Sequence, residues 1–361
     1  MAINLSRNTR LWVSTAAAGL EDQTNTFELG IQDGYSVGSQ LNSTDISLNE
    51  AGAVPNRGSA RFNDSTNPVD WSISTYVRPY SATTPNRTMV ADKLLWHALA
   101  SGQTIDAEWD DTAKAVHAEE TKFNVGFESN STHELTKIRL IFKIDNMYTI
   151  VNDVQVGSAE ISVDIDAIGM VNWSGQGTSF ETSTSAPSFI ALGPASGFEA
   201  IPTDAKYLKN KLTTMSLVAD ANSGGATYDI AITGASVTIS NNITYLTPET
   251  LGTVDSPIGS FTGTFDVSGS LDCYLDTKAN GSYQLLSDMQ ANRNVKNSFN
   301  LVLNMGGPTA ERMVMTMGTC HLNIPEMSIE DVIGTSIEFK ALPSSSDMND
   351  GDEIFIEFFE V

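Results

Sequence analysis

Cysteine is almost absent from this sequence. Two residues in 361, Cys273 and Cys320, cannot build a disulfide framework or a four-thiolate metal site. Long apolar runs are missing as well. Nothing approaches the roughly 18 apolar residues of a membrane span, and the opening MAINLSRNTRLWVST lacks the apolar core of a secretory signal. Positive charge is scarce: 20 Lys and Arg stand against 44 Asp and Glu, a net charge of −24. That balance excludes a protein that grips DNA phosphates or an anionic membrane, because neutralisation by Lys and Arg is the main favourable term in such binding. Catalytic signatures are missing too. There is no G-x-S-x-G, no phosphate-cradling Gly loop ending in Lys-Ser/Thr and no H-E-x-x-H. These absences lead to the expectation of a soluble, cytoplasmic, unprocessed chain that is not an enzyme and holds no metal or cofactor.

What is present is a globular composition, 40% hydrophobic with 27 Gly besides, in a length that favours two domains. Period-two alternation dominates, the mark of strands. It is clearest at 138–144 (IRLIFKI), 159–165 (AEISVDI), 230–239 (IAITGASVTI) and 354–359 (IFIEFF). Helix signals are few. ADKLLWHALA at 91–100 places Leu94, Leu95, Ala98 and Leu99 on one face, and SYQLLSDMQAN at 282–292 is a weaker candidate. The predicted class is mostly β, with one short helix in each half.

An internal repeat organises the chain. VDWSISTYV at 69–77 aligns with VSGSLDCYL at 267–275, pairing Val69 with Val267, Ser72 with Ser270 and Tyr76 with Tyr274. A long polar loop precedes each, at 47–68 and 244–264, and a helix candidate follows each. DAIG at 166–169 echoes DVIG at 331–334, and LSRNTRLWVS at 5–14 resembles LKNKLTTMSLV at 208–218. The common order of these matches argues for duplication. The Ser-, Thr- and Gly-rich stretch 177–203 reads as a linker. The expected organisation is therefore a first β domain over 1–176, a linker over 177–203 and a second over 204–361.

Candidate chemistry is thin. His97, His117, His133 and His321 are scattered, and His97 falls in the apolar helix, where packing is the simpler role. Asp164 and Asp166 would share a strand face and form a paired-carboxylate site, although a solvated face explains them as well. Asp347, Asn349, Asp350, Asp352 and Glu353 lack the spacing of a twelve-residue calcium loop. Trp12, Trp71, Trp96, Trp109 and Trp173 are dispersed and suit core packing better than a base-stacking platform. The terminal DEIFIEFFEV is an apolar strand that either closes its own sheet or pairs with a neighbouring subunit through Ile354, Ile356 and Phe358. The two long loops are too large for tight turns, and loops of that length are often functional.

Three stretches, VQVGSAEISVDIDAIGMVNWSG at 154–175, VTISNNITY at 237–245 and SPIGSFTGTFDVSGSLDCYL at 256–275, together with the start MAINLSRNTRLWV, resemble the tail tube proteins of tailed bacteriophages. The resemblance implies tandem tail-tube domains, each a β-sandwich or barrel with a flanking helix. It implies a virion protein, made in the host cytoplasm, that joins sheets between subunits into rings. The rings would stack into a hollow tube with an acidic lumen, through which DNA passes without specific binding. Ring stacking is carried over to Asn49, Glu50, Arg57, Arg61 and Asp64 in the first loop and to Thr247, Glu249 and Asp255 in the second. Two units per chain favour a ring of three chains, a pseudo-hexamer, over a ring of six. Implied partners are copies of itself, the tape measure, baseplate and tail terminator, and a sheath where one exists. The competing reading is a two-domain β-sandwich adhesin or tail decoration protein that binds a host surface.

Overall fold

The structure, a computed structural model, describes residues 8–16, 20–21, 25–47, 58–83, 86–100, 116–118, 122–127, 135–187, 206–219, 225–247, 257–291, 298–307, 311–324, 327–328, 334–344 and 351–360. It is mostly β, as the alternation predicts. The chain begins with β1 (Thr9–Ser14), β2 (Thr26–Leu29) and β3 (Ser36–Gly38). A hairpin of β4 (Leu41–Ile46) and β5 (Ala60–Thr66) leads into β6 (Val69–Tyr76), and β7 (Pro79–Thr83) with β8 (Asn86–Val90) leads into α1 (Lys93–Ala100). Then come β9 (Val116–Ala118), β10 (Lys122–Gly126), β11 (Ile138–Ile144), β12 (Met147–Asp164), β13 (Met170–Gly177) and β14 (Ser179–Ser183). The second half holds β15 (Thr214–Ala219), β16 (Thr227–Tyr228), β17 (Ile232–Ser240), a hairpin of β18 (Thr244–Leu246) and β19 (Gly259–Phe261), and β20 (Asp266–Tyr274). After α2 (Ser282–Ala291) it ends with β21 (Phe299–Met305), β22 (Arg312–Leu322), β23 (Met327–Ser328), β24 (Gly334–Ala341) and β25 (Phe355–Phe359).

The pairings occur twice in the same registers. In the first half β6 lies against β13, with Val69 opposite Gly177 and Tyr76 opposite Met170. In the second β20 lies against β24, with Val267 opposite Ala341 and Tyr274 opposite Gly334. β3 adds to β6 with Ser36 opposite Ser72, and β17 adds to β20 with Ser236 opposite Ser270. Both serine pairs join their hydroxyls, at 2.8 and 2.9 Å. Each half has a bulge at the matching place, between Ile138 and Leu140 and between Phe299 and Leu301. The end of β12 faces β13 with Ile161 opposite Val171 and Ser162 opposite Met170. β23 faces β24 in the same way, with Met327 opposite Thr335 and Ser328 opposite Gly334.

The repeat breaks where Trp71 aligns with Gly269, and the pairing explains why. Trp71 stands opposite Gly175, and Gly269 stands opposite Phe339. A Cβ on Gly175 would come within 2.9 Å of the Trp71 ring, and one on Gly269 within 2.6 Å of the Phe339 ring. Large and small residues have exchanged strands, so each pair keeps its volume.

The two halves share one sheet system. β12 pairs with β17 from Ser158 opposite Ser240 to Asp164 opposite Gly234. β25 lies between β10 and β22, with Phe358 opposite Phe123 on one side and Met313 on the other. Of the two roles open to the terminal strand, it takes the first and closes its own chain's sheet. The pairing of a neighbouring subunit through Ile354, Ile356 and Phe358 is thereby corrected: both edges are occupied and all three side chains are buried. The segment read as a linker from 177 also begins with a strand. β14 pairs with β12, Ser183 opposite Tyr148, so the first set of pairings runs past 176. Its five residues, SFETS, are too few and too polar to show a period.

α1 is buried on every side, whereas its sequence predicts a single apolar face. β9, β10 and β12 pack around it. The Trp96 ring meets Trp173 edge-on at 4.8 Å and Phe358 at 5.8 Å. Trp12 and Trp71 are buried too, and Trp109 lies outside the described residues. α2 is amphipathic as expected, burying Leu285, Leu286 and Met289.

A polar chain runs through this core. Trp173 Nε1 donates to Thr75 Oγ1 at 2.9 Å, and Thr75 Oγ1 donates to Asp92 Oδ2 at 3.1 Å. Asp92 also opens α1, its carbonyl accepting from Leu95 and Trp96. Burial pushes the Asp92 carboxyl up to about 6, against 3.8 in an open chain. The folded chain thus holds this proton more tightly than the unfolded one, and stability falls as pH rises from about 4 through 6. Asp92→Asn keeps a good N-cap without the buried charge. It is expected to match the parent in thermal melts at pH 4 and to exceed it by about 2–3 kcal/mol at pH 8, from a shift of about two units. Equal stability gains at both pH values would contradict this.

Candidate functional site

The wall built by β3, β6, β13, β12, β17, β20 and β24 has two unlike faces. One carries Val69, Trp71, Ile73, Val171, Trp173, Ala159, Ile161, Val237, Leu271 and Ile337 and is buried. The other is polar because the strands alternate. Among the described residues of β6, β13, β17, β20, β24 and 158–164 of β12, that face carries Asp70, Glu160, Asp164, Asp266, Asp272 and Glu338. Its one cation, Lys340, is ion-paired with Asp266. Between the acids stand small hydroxyl and amide groups, many bonded to each other. Ser158 and Ser174 join at 2.7 Å, Ser74 donates to Asn172 at 2.7 Å, and Gln176 donates to Asp70 at 2.8 Å. The face is acidic, and several of its polar side chains are bonded to one another.

The hairpins stand at one end of this wall. β4–β5 leaves β3 after Gly38 and returns at Val69. β18–β19 leaves β17 after Ser240 and returns at Asp266. Nearly every residue of β4 and β5 is exposed, Leu41 and Phe62 included. Leu246, Ile258 and Phe261 are exposed on the second hairpin, Ile258 by 70%. Arg61 and Asp64 lie on β5. Arg61 is ion-paired with Asp45 at 2.6 Å, which raises the guanidinium pKa and lowers that of the carboxyl, and Asp64 accepts from Thr44 at 2.6 Å. Thr247 follows β18. Asn49, Glu50, Arg57, Glu249 and Asp255 lie outside the described residues. The second hairpin is anchored on the first half, because Tyr245 donates to the Gln176 carbonyl at 2.8 Å. At the other end of the wall Ile165, Ile168, Tyr207 and Leu212 are exposed; Ile168 bridges to Lys209 and the Tyr207 ring meets Tyr76 of β6. The sequence missed them, because isolated exposed apolar residues carry no periodicity.

Nothing in the described residues gathers into a catalytic set. Asp164 ends β12 and Asp166 lies in the turn after it, so the two do not share a strand face. Asp352 instead accepts from the backbone N–H of Ser344 at 3.0 Å. His97 is fully buried in α1. The buried thiols are raised by desolvation, Cys273 to about 11 and Cys320 to about 12, which keeps them protonated and unreactive at neutral pH. What the geometry offers is a polar-faced wall with strand edges and exposed hairpins.

Residues 74–341 match the family described as Phage tail tube protein. The chain is also 41% identical over 365 aligned residues to the tail tube protein pb6 of Escherichia phage T5, an alignment covering 99% of this chain and 76% of the relative. A family match over most of the chain and a relative of that identity and coverage show the family: the chain belongs to the phage tail tube proteins.

Proposed function

We propose that three copies of this chain close into a ring of six tube units, and that such rings stack into an acidic-lumen conduit for genome ejection. A phage tail tube protein is a structural component of the virion. The finer reading rests on one observation, the β12–β17 pairing. A single chain already contains one junction between two similar units, built by backbone pairing along seven residue pairs from Ser158–Ser240 to Asp164–Gly234. Repeating that junction between chains closes a ring in which half the joints are covalently guaranteed. The tandem units are those over 1–176, extended by β14 to Ser183, and 204–361.

In such a ring the polar face lines the lumen. Its six carboxylates outnumber the single Lys340. A polyanion is repelled by that surplus, and hydroxyls already bonded to one another offer little grip. DNA then slides through without specific binding. Its further partners would be the tape measure, baseplate and tail terminator, and a sheath where one exists. Negative-stain electron microscopy of the purified chain at high concentration is the test. Hollow stacked rings are expected; unassembled two-lobed particles after seeding with baseplates would sink the reading in favour of an adhesin.

A further inference from the structure

α1 belongs to the first unit by sequence, yet part of its cover comes from the second. Residues 101–137 separate it from β11, and β9 and β10 lie in that stretch. In the second unit only residues 292–298 separate α2 from β21. β9 and β10 therefore stand outside the duplicated plan. β9 pairs with β10, and β10 pairs in turn with β25 of the second unit, Phe123 opposite Phe358 and Val125 opposite Ile356. β25 itself is part of the plan. It stands on the start of β22 as β14 stands on the start of β12. An addition to one unit thus grips a regular strand of the other.

The side chains at this grip are apolar, and Phe123, Val125, Ile356 and Phe358 are all fully buried. Rings from the two units interleave. Trp173 of β13 meets Trp96 of α1, Trp96 meets Phe358 of β25, and Phe358 meets Phe123 of β10 at 6.0 Å. Phe358 is the one ring of that column supplied by the second unit, and removing it would open a cavity between Trp96 and Phe123. A second tie lies at the end of the helix. Asn241, which follows β17, donates from Nδ2 to the Leu99 carbonyl at 2.9 Å, one of the carbonyls a helix leaves open at its C-terminus. Lys122 Nζ closes the rim on Glu357 at 3.0 Å, across 235 residues of chain.

We propose that β9, β10 and β25 form a clasp that merges the two units into one cooperative folding body, in which α1 keeps its packing only while residues 355–359 are seated against it. The wall pairing of β12 with β17 is by itself a single line of contact, about which two units can turn. The clasp adds a second line through strands that are not part of the wall, and two lines hold the units at a set angle. The chain is then one rigid pair rather than two units on a hinge. This inference concerns the single chain and stands whether or not rings form.

The sequence supplies a separate reporter for each unit. All five tryptophans lie between residues 12 and 173, and the two cysteines, Cys273 and Cys320, lie in the second unit and are buried. The dilute full-length chain is heated while tryptophan fluorescence follows the first unit and thiol labelling follows the second. One coincident transition is expected. Phe358→Ala should lower both midpoints together by about 5 °C, the effect of a phenyl-sized cavity in a chain of this length. Phe123→Ala, a change in the first unit, should likewise bring forward the labelling of thiols in the second. Phe358→Asp places a carboxylate among the rings and expels β25. It should part the two signals, fluorescence first, because β22 keeps β21 and β24. Where that chain fails to fold, the two alanine variants carry the test. Separate transitions in the parent chain, or a Phe358→Ala chain whose thiol transition falls while its fluorescence transition stays, would overturn the clasp. A folded Phe358→Asp chain with coincident signals would overturn it too, by assigning the coupling to β12 and β17.

Discussion

Val37→Pro is expected to yield a folded chain that forms no rings. Gln32 N–H donates to the Ser74 carbonyl on the β3 side of β6, so by alternation Ser36 bonds with Ser72 and the Val37 N–H faces away from β6, where no strand pairs with β3 among the described residues and proline is tolerated. Ser36 keeps its exchange with Ser72. In the ring proposed above, however, a neighbouring chain that extends the wall at β3 would bond to that Val37 N–H, and β3 is only three residues long. Removing one donor from so short a ladder and placing a ring against the approaching strand leaves little to hold it. The thermal melt should stay within a few degrees of the parent, because the substitution touches only an edge position. Light scattering should change from rings to single chains. Rings of unchanged abundance would show that β3 is not a joint.

The second large effect is expected from the first hairpin. Replacing 41–66 by a short Gly-containing turn should preserve rings and abolish their stacking into tubes. The splice is geometrically mild, since Asn67 N–H already donates to the Gln40 carbonyl at 2.9 Å and holds the two ends together. A two-stranded hairpin in water is marginal at best, and this one exposes Leu41, Ile46 and Phe62. Its apolar side chains gain from burial only against something outside the chain. The opposite end of the wall presents Ile165, Ile168, Tyr207 and Leu212, so a head-to-tail stack would bring one apolar group onto the other. Sizing by electron microscopy decides it. Single rings without tubes are expected, and tubes of ordinary length would remove the hairpin from the stacking role.

Much of the fold was legible in the sequence, and the reason is alternation. Wherever one strand face is buried and the other polar, as in VDWSISTYV or AEISVDI, the period shows both the strand and its faces. The repeat was legible for the same reason, through Val69 with Val267 and Tyr76 with Tyr274. What it concealed was compensation across strands. Trp71 with Gly175 and Gly269 with Phe339 conserve a volume shared by two strands, and a linear comparison of one strand sees only a mismatch. The fate of DEIFIEFFEV was open because its pattern states that one face is buried and says nothing about which strands lie beside it. Its partners, β10 and β22, come from different halves. The complete burial of α1 was equally invisible, since what covers it comes from strands far along the chain, including Trp173 of β13 and Phe358 of β25. The shortest strands were least legible. β3 and β23 have three and two residues, too few to carry a period.

The most direct test of the central claim, that a ring is three chains of two units, is the mass of an isolated ring by native mass spectrometry. Three chains of 38.8 kDa are predicted. A ring of six chains would contradict it, because one unit of each chain would then have to lie outside the wall.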